Sequence, residues 1–278
     1  MARFRSGSAI HADNLQERQK IRRVLAMKQQ AINLTLPTSW AELTDKQLLM
    51  VYNLFARDLS AAEVKTLCLM KWNRLKVINE HPKHHYLVQL GKVQGVLTSS
   101  QIQAATTTLD FLDGIPDSPV RIAQLGRHRA FPANFEGVPF EKFLYTDNLY
   151  SGFLHTQQDD LLLQMAQVLY NTNKGRIAQP YLVGVFYWWT SLKQLFAREF
   201  KHFFQPIANS GNRNLLAGSG GNLYEQLRDA TNAQIRALTG GDITKEATIK
   251  QLDTWRALTE LDAKAREAEE YRKISQSK

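Results

Sequence analysis

Pro180-Tyr181-Leu182-Val183-Gly184-Val185-Phe186-Tyr187-Trp188-Trp189-Thr190-Ser191-Leu192 is apolar on nearly every side when wound at helical spacing. A helix without a polar face must be surrounded by other elements. The segment therefore predicts a central core helix that has Pro180 in its first turn, runs to Phe204 and is ended by Pro206. Its aromatics, Phe186, Tyr187, Trp188, Trp189, Phe196 and Phe200 among them, are interleaved with Leu182, Val183, Val185 and Leu192, which reads as packing and not as a base-stacking face. The apolar stretch Tyr181 to Trp189 is broken by Ser191 and Lys193, far short of the roughly 20 residues that cross a bilayer.

Upstream the pattern is again helical. Phe140 to Phe153 and Leu161 to Leu169 read as two helices with Thr156-Gln157-Gln158 as turn and cap, and Asp159-Asp160 suit the first turn of the second. Thr44 caps a helix from Asp45 to Arg57. Ser60 with Glu63 has capping-box spacing for another that carries Val64, Cys68 and Trp72 to Leu75. The β signal is Tyr86-Leu87-Val88-Gln89-Leu90, Gly91-Lys92, Val93-Gln94-Gly95-Val96-Leu97, a hairpin with Gly at the first turn position. One hairpin does not stand alone, and Val120 to Leu125 is the expected third strand, after a helix from Ser99 to Phe111. The fold class expected is mainly α with a small inserted antiparallel hairpin or sheet, an α+β arrangement.

Downstream, Asn209 to Asn222 is rich in Gly, Ser and Asn and reads as a flexible linker. Leu223 to Leu238 then forms one helix. Thr239-Gly240-Gly241-Asp242 is a hinge, and Thr244 caps a long helix to about Lys273 whose apolar stripe is Ile249, Leu252, Trp255, Leu258, Leu261 and Ala265. The domains expected are a basic amphipathic arm over 1–33, a globular domain over 34–208 with its β element at 85–125, a linker over 209–221 and a helical hairpin tail over 222–278.

The 278 residues are 44% hydrophobic, enough for a sizeable core. The single cysteine, Cys68, excludes an internal disulfide and reads as an inert core thiol in a reducing compartment. No apolar segment of signal-peptide type follows the basic start, so a cytoplasmic location is expected. The net charge of +9 is uneven: residues 1–33 carry seven Lys/Arg against two acids, residues 222–278 ten against ten. The arm residues Arg18, Lys20, Arg22, Arg23 and Lys28, with Arg127 and Arg129, are the expected contacts if the chain associates with nucleic acid.

Chemistry is thinly represented. His81, His84 and His85 are close together, but no cysteine or acidic cluster completes a zinc set, and no cofactor signature is present. Arg127-His128-Arg129 is a basic knot suited to a phosphate contact. An enzyme would have to assemble its site from scattered groups such as His128, His155, His202, Asp147 and Asp160. The sequence favours a non-enzymatic binding protein that holds a protein partner with the stripe Ile249, Leu252, Trp255, Leu258 and Leu261.

Three strings carry a resemblance: Leu36-Pro37-Thr38-Ser39-Trp40 with Leu43-Thr44 and Gln47-Leu48; Asn232-Ala233-Gln234-Ile235-Arg236-Ala237-Leu238-Thr239-Gly240-Gly241-Asp242-Ile243-Thr244-Lys245-Glu246; and Trp255-Arg256-Ala257-Leu258-Thr259-Glu260-Leu261. Together they resemble proteins encoded in prophage-like clusters of gut bacteria, where neighbouring genes make tail or other virion parts. The resemblance implies a role in phage assembly, of the tail assembly chaperone kind, with a virion component as partner. It carries no functional residue with it.

Overall fold

The computed structural model describes residues 32–81, 85–204 and 223–276. The protein is mainly α-helical with a small antiparallel sheet. The elements are α1 (Asp45–Phe55), α2 (Ala61–Trp72), β1 (Leu75–His81), β2 (His85–Leu90), β3 (Val93–Thr98), α3 (Ser99–Thr107), β4 (Gln124–Leu125), β5 (His128–Arg129), α4 (Phe140–Thr156), α5 (Asp159–Leu169), α6 (Gln179–Glu199), α7 (Leu223–Thr239), α8 (Glu246–Gln251) and α9 (Thr254–Gln276). They divide into two compact units, Ser60–Asp110 with the chain up to Thr38, and Ser39–Leu59 with Phe111–Lys278.

In the first unit α2 begins as the sequence indicates. The Ser60 hydroxyl accepts from the Glu63 amide, and the Glu63 carboxylate accepts from the Ser60 amide at 2.8 Å. It stops earlier than expected. The Asn73 side chain donates to the Leu69 carbonyl at 3.0 Å and accepts from the Thr35 amide at 2.8 Å, and Arg74 turns left-handed at φ 54°. Leu75 therefore opens a strand instead of closing a helix. The sheet order is β1-β2-β3, so the third strand is Leu75–His81 and not Val120 to Leu125. The expected hairpin is present: Leu90 faces Val93 across Gly91-Lys92, and Gly91 takes φ +60°, which the two-residue turn needs. The face carrying Leu75, Val88 and Leu97 packs on Leu69 of α2 and on Ile102 and Ala105 of α3.

Of Val120 to Leu125, Gln124 and Leu125 are strand, paired with Arg129 and His128 in a short hairpin. The Ala123 carbonyl takes a backbone bond from the Ala130 amide at 3.0 Å, and side chains hold its amide and Ile122. The Ala123 amide donates to Asp45 at 2.9 Å, and the Ile122 carbonyl accepts from the Tyr170 hydroxyl at 3.0 Å. At the Ala123 amide and the Ile122 carbonyl those bonds take the place of ladder bonds.

The second unit is built around α6, with Pro180 in its first turn. Val185, Trp188, Trp189, Leu192 and Phe196 are fully buried in it. Phe135 meets Trp189 edge-on at 5.3 Å, and Phe143 meets Phe196 edge-on at 5.6 Å. The buried indoles are satisfied: Trp188 donates to the Ala133 carbonyl at 2.7 Å and Trp189 to Asp147 at 3.3 Å. Helix α1 lies against α6 where Gly184 leaves room, because a Cβ there would sit 3.0 Å from two ring carbons of Tyr52. Helices α4 and α5 form a hairpin turned by Gln157, whose φ of 57° ends α4.

The C-terminal helices belong to this same unit, where the sequence suggests a separate tail. Ile235 of α7 is buried, and Thr231 is hydrogen-bonded to Asn148 of α4 at 3.0 Å. The single long helix expected after Thr244 is two. Asp242 caps the turn Ile243–Lys245; α8 follows, and the chain extends at Leu252-Asp253 before α9. The break has a cause elsewhere in the chain. The Leu252 carbonyl accepts from the Phe140 amide at 2.8 Å, while Thr254 donates to the Val138 carbonyl from its amide at 2.9 Å and its hydroxyl at 2.7 Å. Asp253 accepts from the Gly137 amide at 2.7 Å and also caps α9 through the Arg256 amide. A continuous helix would forfeit all of these bonds. The linker 209–221 lies outside the described residues.

Candidate functional site

The stripe expected to hold a partner is turned onto the protein's own core. Leu258 and Leu261 are buried, and Ile249, Leu252 and Trp255 are half-buried against the same cluster. Trp255 packs its ring on Phe196 and Phe200 at 5.5 and 5.4 Å and donates to the Asn134 carbonyl at 2.8 Å. Sequence periodicity identifies such a stripe without saying which surface it meets. Further along α9, Asp262 accepts from the amides of His202 and Phe203 at 2.7 and 2.9 Å, and Glu269 meets the His202 ring at 3.3 Å. A bond from Lys273, then one from His202, holds the Glu269 carboxyl below the ordinary glutamate range. From Glu270 to Gln276 every residue is exposed, so the helix leaves the core as a projecting end.

The exposed apolar side chains are unevenly placed. Tyr224, Ile243, Tyr271 and Ile274 are 56 to 80% exposed, whereas Val77, Ile78, Tyr145 and Leu154 reach at most 50%. The four most exposed of these large apolar groups all belong to the C-terminal helices and the turn between them.

A cleft of about 390 Å³ opens elsewhere on the same unit, lined by His128, Lys142, Gln167, Val168, Asn171, Thr172 and Asn173. The α4–α5 hairpin brings the first turn of α4, with Lys142, beside the last turn of α5. Asn171 is left-handed at φ 46°, a conformation asparagine tolerates, and makes the turn that ends α5. The Thr172 amide bonds back to the Gln167 carbonyl at 2.9 Å and the Asn171 amide to the Val168 carbonyl at 3.1 Å, the pattern of a Schellman cap. The Phe131 amide takes the Leu169 carbonyl at 3.0 Å, so the carbonyls ending the helix already have donors. His128 Nδ1 lies 3.2 Å from the Asn171 carbonyl and Nε2 lies 3.4 Å from the Thr172 hydroxyl. Bonding to a carbonyl requires Nδ1 to carry a proton.

Basic residues neighbour the lining of this cleft along the chain. Arg127 and Arg129 are exposed on the β4–β5 hairpin, and the Lys174 ammonium would stand 3.4 Å from a Cβ placed on Gly126 in its turn. Among the described residues Arg127, Arg129 and Lys174 have no ion-pair partner, and Lys142 has Glu141 at 4.0 Å. The sequence picks out Arg127-His128-Arg129. It gives no sign of Lys142, Asn171, Thr172, Asn173 and Lys174, which are remote in the chain.

The scattered groups named for an enzyme have different neighbours. His128 is in the cleft, Asp147 pairs with Lys193 at 2.9 Å, and His202 meets Glu269; His155 and Asp160 are exposed. Among the described residues no three His, Cys, Asp or Glu side chains converge as metal ligands. Burial pushes the Cys68 thiol up to about 12, which leaves it protonated and unreactive. The arm residues Arg18, Lys20, Arg22, Arg23 and Lys28, and His84, lie outside the described residues. No described helix is long and apolar enough to cross a membrane. Comparison with family models, with curated proteins and with solved structures finds no match to the chain.

Proposed function

We propose that the protein is a non-enzymatic interaction protein that holds a protein partner through the outward surface of its C-terminal helices, in the setting of phage or prophage assembly. The observation that carries this reading is the concentration of the most exposed apolar side chains, Ile243 and Tyr271 foremost, on the region from Leu223 to Gln276. Exposed apolar groups on a surface of balanced charge are suited to a protein contact. The inner stripe of α9 serves the contact indirectly. By locking Leu258 and Leu261 into the core it gives the projecting end a fixed base. The assembly setting comes from the resemblance of the strings around Trp40, Gly240 and Trp255, and a cytoplasmic location in a bacterial host goes with it.

The test is a nuclease-treated pull-down from host lysate with the full chain, with Ile243→Asp, and with Tyr271→Glu combined with Ile274→Glu. These positions are exposed, so the circular dichroism spectrum stays unchanged. The reading expects a partner that the full chain retains and the variants lose; retention of every partner by both variants would overturn it.

A further inference from the structure

We infer that the cleft between the β4–β5 hairpin and the paired ends of α4 and α5 binds the phosphate backbone of a single nucleic-acid strand. Four basic residues from three separate parts of the chain lie in its lining or next to lining residues: Lys142, in the first turn of α4, is in the lining, Arg127 and Arg129 flank the lining residue His128 on the hairpin, and Lys174 follows the lining residue Asn173, with its ammonium beside Gly126. Three of them have no ion-pair partner among the described residues, and the fourth has Glu141 at 4.0 Å. Positive charge collected without counter-charge attracts a polyanion and releases the ions condensed on it.

The cleft wall supplies neutral donors beside the charged ones. Asn171 and Asn173 are in its lining, and side-chain amides commonly accompany Lys and Arg on phosphate oxygens. The negative end of α5 does not oppose this, because the Gln167, Val168 and Leu169 carbonyls are occupied by the Thr172, Asn171 and Phe131 amides. His128 takes the Asn171 carbonyl in the same way.

The size of the ligand follows from where the cations stand. The cleft, at about 390 Å³, has Lys142 in its lining, whereas Arg127, Arg129 and Lys174 are outside it. A small phosphate compound confined to the hollow would miss those three. A strand that seats one nucleotide in the hollow and continues over the rim presents further phosphates to them. A duplex, whose major groove alone is about 12 Å wide, is too broad to enter a hollow of this size.

The experiment is fluorescence anisotropy of labelled oligodeoxythymidylate with purified full-length protein over a salt series. Wild type is compared with Lys142→Gln/Lys174→Gln and with Arg127→Gln/Arg129→Gln, whose folding is checked by circular dichroism. For each phosphate that a variant no longer neutralises, the slope of log affinity against log salt should fall by roughly 0.7, which near 0.1 M salt corresponds to about fivefold weaker binding. Unlabelled thymidine monophosphate at the same phosphate concentration should fail to compete. Absence of binding by wild type, wild-type affinity and slope in both double variants, equally tight binding of a duplex, or full competition by the monophosphate would each overturn the inference. None of these measurements involves the C-terminal surface, so either proposal can fail without the other.

Discussion

The two units reach stability by different means. The unit around α6 is held by interlocked rings: Phe135, Phe143, Trp188, Trp189, Phe196, Phe200 and Trp255 form a continuous set, with indole N–H groups spent on backbone carbonyls or Asp147. The β1–β3 unit has a small aliphatic cluster, Leu69, Leu75, Val88 and Leu97, beside its sheet ladder and the capping boxes at Ser60 and Thr98. A core of large rings concentrates its energy in few residues, whereas a capped and laddered unit spreads it over many small terms.

The largest effect expected is from Trp188→Ala, which removes a fully buried indole and leaves the Ala133 carbonyl without its donor. It should cost about 3–5 kcal/mol, read as a lower urea midpoint by circular dichroism. Leu258→Ala, in the α9 stripe, should cost about 2–5 kcal/mol and raise hydrogen exchange across α4 to α6. A near-zero cost would mean that α9 contributes little to the core, and the contrast between the units would weaken. Gly184→Ala should cost about 1–3 kcal/mol, because the Tyr52 ring is itself fully buried and has little room to give.

In the sheet unit, Thr98→Ala removes the α3 cap and should cost about 1 kcal/mol, seen as faster exchange confined to α3. An effect as large as that of Trp188→Ala would erase the distinction between the units. The smallest effect is that of pH on the α9 anchor. Glu269 has a lowered folded value, so its contribution is complete above the ordinary glutamate value and is lost as pH falls through the lowered one. A Glu269→Gln variant should therefore show a slightly smaller fall in melting temperature over that acid range than wild type.

What the sequence reveals of the fold is what local chemistry determines. Ser60 with Glu63, Gly91, Gln157 and Pro180 mark boundaries that the structure keeps, because each acts on atoms within a few residues of itself. Arg74 is different: a left-handed arginine has no signature in composition, and Asn73 imposes it through bonds to Leu69 and Thr35. The break at Leu252-Asp253 is also invisible locally, since its cause is the strip from Gly137 to Phe140. The cleft follows the same rule. Its basic knot is readable at Arg127 to Arg129, but the facing wall at Lys142 and Asn171 to Lys174 requires the α4–α5 hairpin to bring it there.

The junction of Val138 and Phe140 with Leu252 and Thr254 sets the order in which this protein can be made. Its bonds span up to 116 residues, and Leu258 and Leu261 fill the core immediately after it. On the ribosome, helices α4 to α6 must emerge and wait with their aromatic faces uncovered until Leu252 to Leu261 are synthesised. For that interval the nascent chain is at its most aggregation-prone, and a premature stop before Thr254 would make the condition permanent.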